Sequence, residues 1–468
     1  MRIESGFKTG EEIETSYPAR LLLLVFAAAQ AGWLFHHSFD RWYNLICSLD
    51  YGHIDSASYN TAHGAFMYSH VDFINFWADH FSPILLIQSA FYYFSDAYWF
   101  TFLWQSWSIG LAAIPLFLIA RHFLKNEWLA LLVAAGYLLN GKMHIGALFD
   151  YHMISHEALF IFSAFYAMLR KRWGWYFFFG ALLTVCKEDA FIIFSLLGLY
   201  AAVIEGEFKK ALYTWGLCGV YALIVFKVAY PLLTDKEKYG YSSQYAWLGG
   251  SSLDIAKNFL TRPMEMIRMI LAQSPERNTA WTKTLIQFGF LPFLSPTGLV
   301  LAGPPSMELF LAARTQLFKL THHYGMYVVP VWTLASVFAM SNIRWVLRKV
   351  GVKKQTVAAI VAIPALYMIA MNIYMAKDFG ALPYISDPSD YIKPEYRKHT
   401  EQVREAIKIV PHDASMASTM GVFTTTHHAP DKYFYRSYKW FPSSLKPIDY
   451  FAIDMNGNVE FLRKNSRA

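Results

Sequence analysis

A segment rich in acids and imidazoles follows the first long apolar run of the chain. Between residues 48 and 83 it holds four aspartates and four histidines with aromatic residues between them, and these are Asp50, Asp55, Asp72, Asp79, His53, His63, His70 and His80. A loop that only joined two helices would not need this density of acid and imidazole. Carboxylates and imidazoles are common general acids and bases in enzymes. The segment therefore predicts an active-site loop.

Three further groups of ionisable residues stand at the ends of apolar runs. They are Asp150, His152, His156 and Glu157; then Lys187, Glu188 and Asp189; and then His322 and His323. On a helix, His152 and His156 would point the same way, and with Asp150 or Glu157 as an oxygen ligand they would suit a metal ion.

Each group also has a purely structural interpretation. Asp50 and Asp55 could be ordinary loop acids, and interfacial histidines commonly bond to loop carbonyls. The Lys187–Asp189 run could be an internal ion pair at a helix turn. These alternatives stay open at the level of sequence.

Composition predicts an all-α polytopic membrane protein. Hydrophobic residues make up 55% of the 468 residues and charged residues 16%, against about 25% charged in soluble proteins. The mean hydropathy is +0.25, and several windows of about 20 residues are nearly free of charge, as spanning helices require. The net charge of +7 is no sign of nucleic-acid binding, because Lys and Arg lie mostly in short loops. Three cysteines predict neither a disulfide framework nor a thiolate zinc site.

The apolar runs predict about eleven transmembrane helices. We place them at about 19–37, 97–120, 127–145, 153–169, 173–186, 190–204, 211–233, 284–294, 297–313, 324–343 and 355–376. Residues 83–94 are too short to cross about 30 Å of hydrocarbon, so we expect them to lie in the membrane plane. The basic loops then all fall on the inner side, with the N-terminus inside and the C-terminus outside. All four ionisable groups meet at the outer face.

Two domains follow from this topology. Residues 1–376 form the transmembrane domain, with an outer catalytic loop at 38–96. Residues 377–468 are more polar and combine a helical pattern with two short strand patterns, which predicts a small α/β appendage on the outer face.

Seven different motifs lie in order along the chain. They are DYGHIDSASYNTAHG (50–64), ADHFSPIL (78–85), FDYHMISHEAL (149–159), CKEDAFI (186–192), FLPFLSP (290–296), HHYGMYVVP (322–330) and VPHDASMASTMGVFTTTHH (410–428). Through them the chain resembles a family of bacterial and archaeal predicted membrane proteins of unknown function, within the GT-C-type membrane glycosyltransferases. The resemblance implies a GT-C-like fold, one or two acids in the first outer loop, a polyprenyl-phosphate sugar donor and, in some members, a divalent cation.

The leading hypothesis is therefore a glycosyltransferase at the outer face of the cytoplasmic membrane. Asp55 and Asp50 occupy the positions of the family's loop acids, so Asp55 would be the general base while Asp50 assists or holds a cation such as Mg or Mn. The substrate-binding residues would be Asp79, His80, Lys187, Glu188, Asp189, His322 and His323. Of these, Lys187 is the first choice for the positive charge that stabilises the phosphate leaving group. The acceptor would be a lipid, a glycan or a protein, and the bilayer is the expected partner.

Two other functions are also consistent with the sequence. Proline-interrupted helices at 284–313 would suit a transporter or lipid flippase. A membrane metallohydrolase could use Asp150, His152, His156 and Glu157, although the HExxH pattern of such enzymes is absent.

Overall fold

The computed structural model describes residues 15–234, 240–272, 275–379, 382, 394–429, 431–435 and 448–454. Most of the polar lead at 1–18, and residues 380–381, 383–393, 430, 436–447 and 455–468 of the predicted appendage, lie outside this range. The described residues are mostly helical, with five short strands.

The first half of the chain forms an apolar bundle and one polar helix, α2. Its elements are α1 (Tyr17–Tyr43), α2 (Leu49–Ala62), β1 (Tyr68–Ser69), β2 (Ile74–Asn75), α3 (Leu85–Tyr92), α4 (Trp99–Leu111), α5 (Ala113–Leu124), α6 (Glu127–Leu138), α7 (Gly141–Phe149), α8 (Glu157–Leu169), α9 (Trp173–Thr184), α10 (Phe191–Val203), α11 (Phe208–Leu223) and α12 (Tyr230–Leu233). Strands β1 and β2 pair antiparallel.

The second half adds two long helices and a small parallel sheet. Its elements are α13 (Ser252–Thr261), α14 (Pro263–Leu271), α15 (Pro275–Gln287), α16 (Pro296–Leu311), α17 (Thr315–Phe318), α18 (Gly325–Lys349), α19 (Lys354–Phe379), α20 (Pro394–Ile407), β3 (Met416–Ser418), α21 (Met420–Thr426), β4 (Lys432–Phe434) and β5 (Tyr450–Ala452). The strand order in the sheet is β4-β3-β5, with both pairs parallel.

Five helical segments are long and apolar enough to cross a membrane. They are Tyr17–Tyr43, Trp99–Leu124, Phe208–Leu233, Gly325–Lys349 and Lys354–Lys377. The pair α6 and α7, bent by 41°, would make a sixth span. Several spans therefore agree with the membrane class predicted from composition, but five or six is fewer than the eleven predicted. Other predicted helices are present in shorter form, and at 284–294 the structure has the end of α15 and a short 3₁₀ turn.

Local signals explain where the first helix begins and ends. The Ser16 side chain accepts a hydrogen bond from the backbone N–H of Ala19, which caps α1. The chain leaves α1 through Leu45, whose φ of 63° turns the backbone away from the helix. This turn brings the next residues back over the bundle end as α2.

The helices pack closely where small residues face each other. α1 packs on α4 and α6, and α16 packs on the largely buried α18. A Cβ at Gly298 would lie 2.7 Å from the Cα of Ala335, so glycine permits this approach of α16 to α18. At the start of α1, the buried Glu127 carboxylate pairs with Arg20 at 2.7 Å and with Arg121 at 2.8 Å.

Helix α2 is unusual because it is polar and yet almost wholly buried. Ten consecutive residues, 51–60, are buried. Burying polar groups is unfavourable unless each finds a partner. The partners come from β1, α3, α4 and, far along the chain, from His427 and His428 just after α21.

The C-terminal elements dock on the junction of α1 and α2. The indole Nε1 of Trp42 donates to the carbonyl of Thr424 at 2.8 Å. A Cβ at Gly52 would lie 2.8 Å from the Phe423 ring, and one at Gly421 would overlap with the Leu45 carbonyl oxygen. Helix α21 is therefore pressed directly against the backbone of the first loop.

Candidate functional site

The two predicted catalytic acids lie on different faces of α2. Five residues along an α-helix correspond to a rotation of about 140°. Asp55 shares its face with Tyr51 and Tyr59, whereas Asp50 shares a face with His53. The two carboxylates therefore meet different neighbours.

Asp55 is completely buried and surrounded by donors. Its Oδ1 atom accepts hydrogen bonds from Gln88 Nε2 at 2.6 Å, from Thr101 Oγ1 at 2.9 Å and from the Tyr92 hydroxyl. Its Oδ2 atom accepts from the Tyr51 hydroxyl at 3.2 Å. Oδ2 also lies 2.9 Å from His427 Nε2 and 2.7 Å from His428 Nε2. A carboxylate has about four lone-pair sites, so the protein already occupies them. We call Asp55, His427 and His428 the Asp–His–His cluster.

These contacts hold Asp55 as an anion. Burial raises the pKa of Asp55, but the charge of His428 and hydrogen bonds from His427 and His428 outweigh burial and leave it below its ordinary value. A general base works best with a pKa near the working pH and with access to the substrate proton. Asp55 is 0% exposed and faces these partners, and its general-base role stays a prediction.

The two histidines are oriented by their other contacts. The ring of His428 is stacked between those of Tyr98, 3.7 Å away, and Tyr59, 4.3 Å away. Its Nδ1 atom lies 2.9 Å from the Asp96 carbonyl oxygen. Sequence reasoning gave these histidines no role, although the motif at 410–428 ends in them. Their contact with Asp55 spans more than 370 residues, and no local spacing predicts it.

On the other face of α2 lies a set of residues that we call the ionisable cluster: Asp50, Asp79, His80, Lys187, Glu188 and Tyr241. Within it, His80 Nδ1 lies 2.9 Å from Glu188 Oε1 and His80 Nε2 lies 3.1 Å from the Tyr241 oxygen. The Tyr241 hydroxyl in turn donates to Asp79 Oδ1 at 3.0 Å. One chain of hydrogen bonds therefore joins the first loop to the turn after α9.

Two cations stand in the ionisable cluster. Burial lowers the pKa of His80, but the charges of Glu188 and Asp79 outweigh it and raise the pKa to about 9. Burial likewise lowers the pKa of Lys187, while its contact partner Asp189 and neighbouring Glu188 leave it well above its ordinary value. At neutral pH both side chains carry a positive charge.

The two predicted histidines before α18 lie beside this cluster. The ring of His323 stacks on His152 with centroids 3.6 Å apart, and His152 lies 6.1 Å from the His80 ring. His322 packs edge-to-face on Phe149 at 4.0 Å. The structure thus gathers the predicted substrate-binding residues from three separate segments.

Asp50 differs from Asp55, Asp79 and Glu188 in the contacts of its carboxylate. It receives no hydrogen bond from any residue within the described ranges. Burial raises the pKa of Asp50, with the charges of His80 and Arg314 opposing and that of Asp79 adding to the effect. Asp50 is thus a carboxylate with affinity for a proton, close to positive charge.

Asp150 holds the beginning of α2. Its carboxylate accepts hydrogen bonds from the backbone N–H groups of Ser48 at 3.0 Å and Tyr51 at 3.1 Å, and from the Ser48 hydroxyl. An anion at a helix N-terminus is favourable because unpaired N–H groups point at it. Burial and the charge of Asp50 nevertheless raise the pKa of Asp150 to about 6, against the hydrogen bonds from Ser48 and Tyr51.

The premise that His152 and His156 share a helical face is wrong. His152 has an extended backbone and precedes a four-residue 3₁₀ helix that ends at His156. The His156 ring lies between Ser108 Oγ at 2.8 Å and the Tyr151 hydroxyl at 3.2 Å. Any metal ion bound by the predicted set Asp150, His152, His156 and Glu157 would have to replace these contacts.

Comparison with known families agrees with the membrane class. A family model described as "Predicted membrane protein (DUF2079)" matches residues 41–467, so the chain belongs to this family. The resemblance to predicted membrane proteins of unknown function is thereby confirmed. No curated protein matches the chain.

Proposed function

We propose that this member of the DUF2079 family is a membrane glycosyltransferase that moves a sugar from a polyprenyl-phosphate donor to a lipid, glycan or protein acceptor. The ionisable cluster is the observation that supports the proposal. It places Asp50, a carboxylate that receives no hydrogen bond from a described residue, within electrostatic range of the charged side chain of His80. A phosphate-linked donor whose lipid chain is anchored in a bilayer would present its reacting atoms near the ends of the membrane helices.

The cations suit the leaving group. When the bond between the sugar and the phosphate breaks, negative charge grows on the phosphate oxygen. Preorganised positive groups stabilise such charge more than water does. Lys187 and His80 are close enough for their charges to interact, so one phosphate could meet both.

Asp50 replaces Asp55 as the proposed base. The acceptor hydroxyl would give its proton to Asp50 as its oxygen bonds to the anomeric carbon. The bond from that carbon to the phosphate oxygen breaks, and polyprenyl phosphate leaves with the electron pair. Direct displacement with one base inverts the anomeric centre.

A divalent cation, Mg or Mn, belongs to the proposal. These ions take oxygen ligands, and Asp50 fits one because its oxygens are not engaged by described residues. When bound, the ion would add positive charge for the phosphate. If Asp50 holds the cation, an acceptor proton would have to leave by another route, and the metal dependence of the Asp50 variant separates the two roles.

The membrane placement rests on α3. Its inward face presents Gln88 and Tyr92 to Asp55, while Leu86 and Ile87 on the other face are exposed. An eight-residue helix is about 12 Å long, too short to span, and its two faces suit the interface. We retain the topology of about eleven membrane helices with the C-terminus outside, and place the polyprenyl chain along the exposed apolar side chains of α3 and of Phe293.

The experiment is a release assay with the full chain in detergent. Wild-type protein is given a panel of polyprenyl-phosphate sugars, with and without magnesium or manganese, and released polyprenyl phosphate is measured. Asp50→Asn should lose release, whereas Asp72→Asn, an exposed acid of the same segment, should keep it. Wild-type turnover by Asp50→Asn would remove Asp50 from catalysis, and failure of folded wild type with every donor would contradict the transferase.

A transporter is the second candidate, favoured by the bend of 41° between α6 and α7 and by Pro304 and Pro305 inside α16. Broken helices of this kind surround substrate sites in transporters. Movement of a labelled lipid across liposomes by wild type and Asp50→Asn alike would support it over the transferase.

A further inference from the structure

The Asp–His–His cluster has a mismatch of donors and acceptors. His427 Nδ1 lies 3.1 Å from the Phe423 carbonyl oxygen, and His428 Nδ1 lies 2.9 Å from the Asp96 carbonyl oxygen. The Nε2 atoms of both rings face the same oxygen, Asp55 Oδ2. Carbonyl and carboxylate oxygens accept hydrogen bonds only, whereas a neutral imidazole has a single N–H. All four ring nitrogens thus face acceptors with too few protons to satisfy them.

Protonating both rings would satisfy the hydrogen bonds but not the charge. Two imidazolium ions and one carboxylate leave a net charge of +1 in a place where Asp55 and His427 are 0% exposed and His428 is 7% exposed. Burying an uncompensated charge is costly. With both rings neutral and donating through Nδ1, two Nε2 lone pairs would instead point at a carboxylate.

We propose that a divalent transition-metal ion, zinc in the first place, binds between Asp55 Oδ2, His427 Nε2 and His428 Nε2. The ligand atoms all lie within 4.8 Å of one another. With the metal present, each neutral ring keeps its Nδ1 proton for a carbonyl and turns its Nε2 lone pair to the ion. The site is distinct from the ionisable cluster, and its test does not depend on the proposed transfer.

The surroundings have the features of a metal site. Histidines that bind metals almost always donate their other N–H to a carbonyl, a carboxylate or water, as both rings do here. Two imidazoles and one carboxylate suit zinc and its transition-metal neighbours, whereas magnesium prefers oxygen ligands. The other oxygen, Asp55 Oδ1, accepts from Gln88 and Thr101, so the ion would bind Oδ2, which also accepts from the Tyr51 hydroxyl at 3.2 Å.

The residues around the ligands are closely packed. Gly52 and Gly421 bring α21 against the first loop at distances that exclude a side chain, and the ring of His428 is clamped by Tyr98 and Tyr59. Two tetrahedral ligands at about 2.0 Å from zinc stand about 3.3 Å apart. The present separations of 2.9 and 2.7 Å between Oδ2 and the two Nε2 atoms are about half an ångström shorter than that. The metal would fasten the C-terminal segment to α2.

Metal content is the first measurement. The full-length protein is purified through a tag without histidine, with no metal added, and analysed by mass spectrometry for zinc, manganese, iron, cobalt and nickel. We expect close to one ion per chain, and a loss of at least about tenfold in Asp55→Asn, His427→Gln and His428→Gln. His412→Gln, an exposed histidine of the same C-terminal region, should keep the metal.

A second measurement avoids variants that fail to fold. Wild-type protein treated with a chelator is titrated with cobalt(II), whose visible absorption reports nitrogen and oxygen ligands in a tetrahedral field. Saturation at one equivalent, displaced by zinc, is the expected result. Folded wild type with less than about a tenth of an ion per chain and no cobalt spectrum would overturn the proposal and leave a hydrogen-bonded cluster without metal.

Discussion

The carboxylate of Asp55 lies 2.7 Å from Nε2 of His428, although 373 residues separate them in the chain. A segment near the beginning of the described chain thus meets a segment near its end at one buried point. Trp42 at the end of α1 adds a hydrogen bond to the Thr424 carbonyl. The described C-terminal residues around α21 therefore pack directly against α2 and the end of α1.

Removing His428 should release the C-terminal segment. Removing one partner of a buried polar contact leaves the other unsatisfied, at about 1–3 kcal/mol, and the loss of the stack of His428 on Tyr98 adds to the effect. His428→Ala should therefore melt earlier in detergent, and limited proteolysis should cut the C-terminal region first. His412→Ala, which is exposed, is the control. Equal melting and equal proteolysis of the two variants would show that the contact with Asp55 does not hold the segment.

Gly52 offers a purely steric test of the same contact. A Cβ at this position would lie 2.8 Å from Phe423 Cε1 and 3.3 Å from the Thr424 side chain. Overpacking of this kind typically costs about 1–3 kcal/mol, so Gly52→Ala should lower the melting temperature and loosen α21. Gly32→Ala, with nothing within 4 Å, should be neutral or slightly stabilising because alanine favours helix. If the two variants melt alike, α21 does not press on α2.

Asp50 should act on the chemical step more than on binding. Asp50→Asn keeps the shape of the side chain and removes its ability to take a proton, so kcat should fall by about 10²–10⁴ while KM for the donor changes little. In wild type, activity should rise with pH across the raised pKa of Asp50, because only the ionised carboxylate accepts a proton. The kinetic assay is the release of polyprenyl phosphate at a series of pH values. A large change in KM with kcat preserved would assign Asp50 to binding instead.

The sequence predicts the apolar helices of the bundle better than the polar site. Most of the bundle appears near its expected bounds because an apolar run of helical length is a local property, as at α18 and α19. The burial of α2 was not predictable from its own residues, since its partners come from α3, α4 and α21. The spacing of His152 and His156 wrongly predicted a shared helical face, because a 3₁₀ turn replaces the expected helix. The gathering of His80, Glu188 and Tyr241 likewise depends on long-range packing that leaves no periodic pattern in the sequence.

His80 should make stability fall as the pH rises from about 6.5 to about 9. Glu188 and Asp79 outweigh burial and raise the pKa of His80 to about 9, against an ordinary value of about 6.5 in the unfolded chain. Between these values the folded protein binds more protons than the unfolded one. Stability from this group is therefore complete below about pH 6.5 and is lost as the pH passes about 9. His80→Gln should remove this pH dependence, and melting curves between pH 6 and pH 10 measure it.

The matched control for this prediction is His412→Gln, which should keep the slope of wild type. If the slope reflects the ion pair with Glu188, then Glu188→Gln should flatten it as well, because His80 Nδ1 lies 2.9 Å from that carboxylate. The same titration bears on function. A donor phosphate that contacts the His80 imidazolium should bind less tightly above about pH 9. KM for the donor should therefore rise above this pH in wild type and not in His80→Gln. A KM that stays constant across this range would place the phosphate away from His80 and leave Lys187 as its cationic partner.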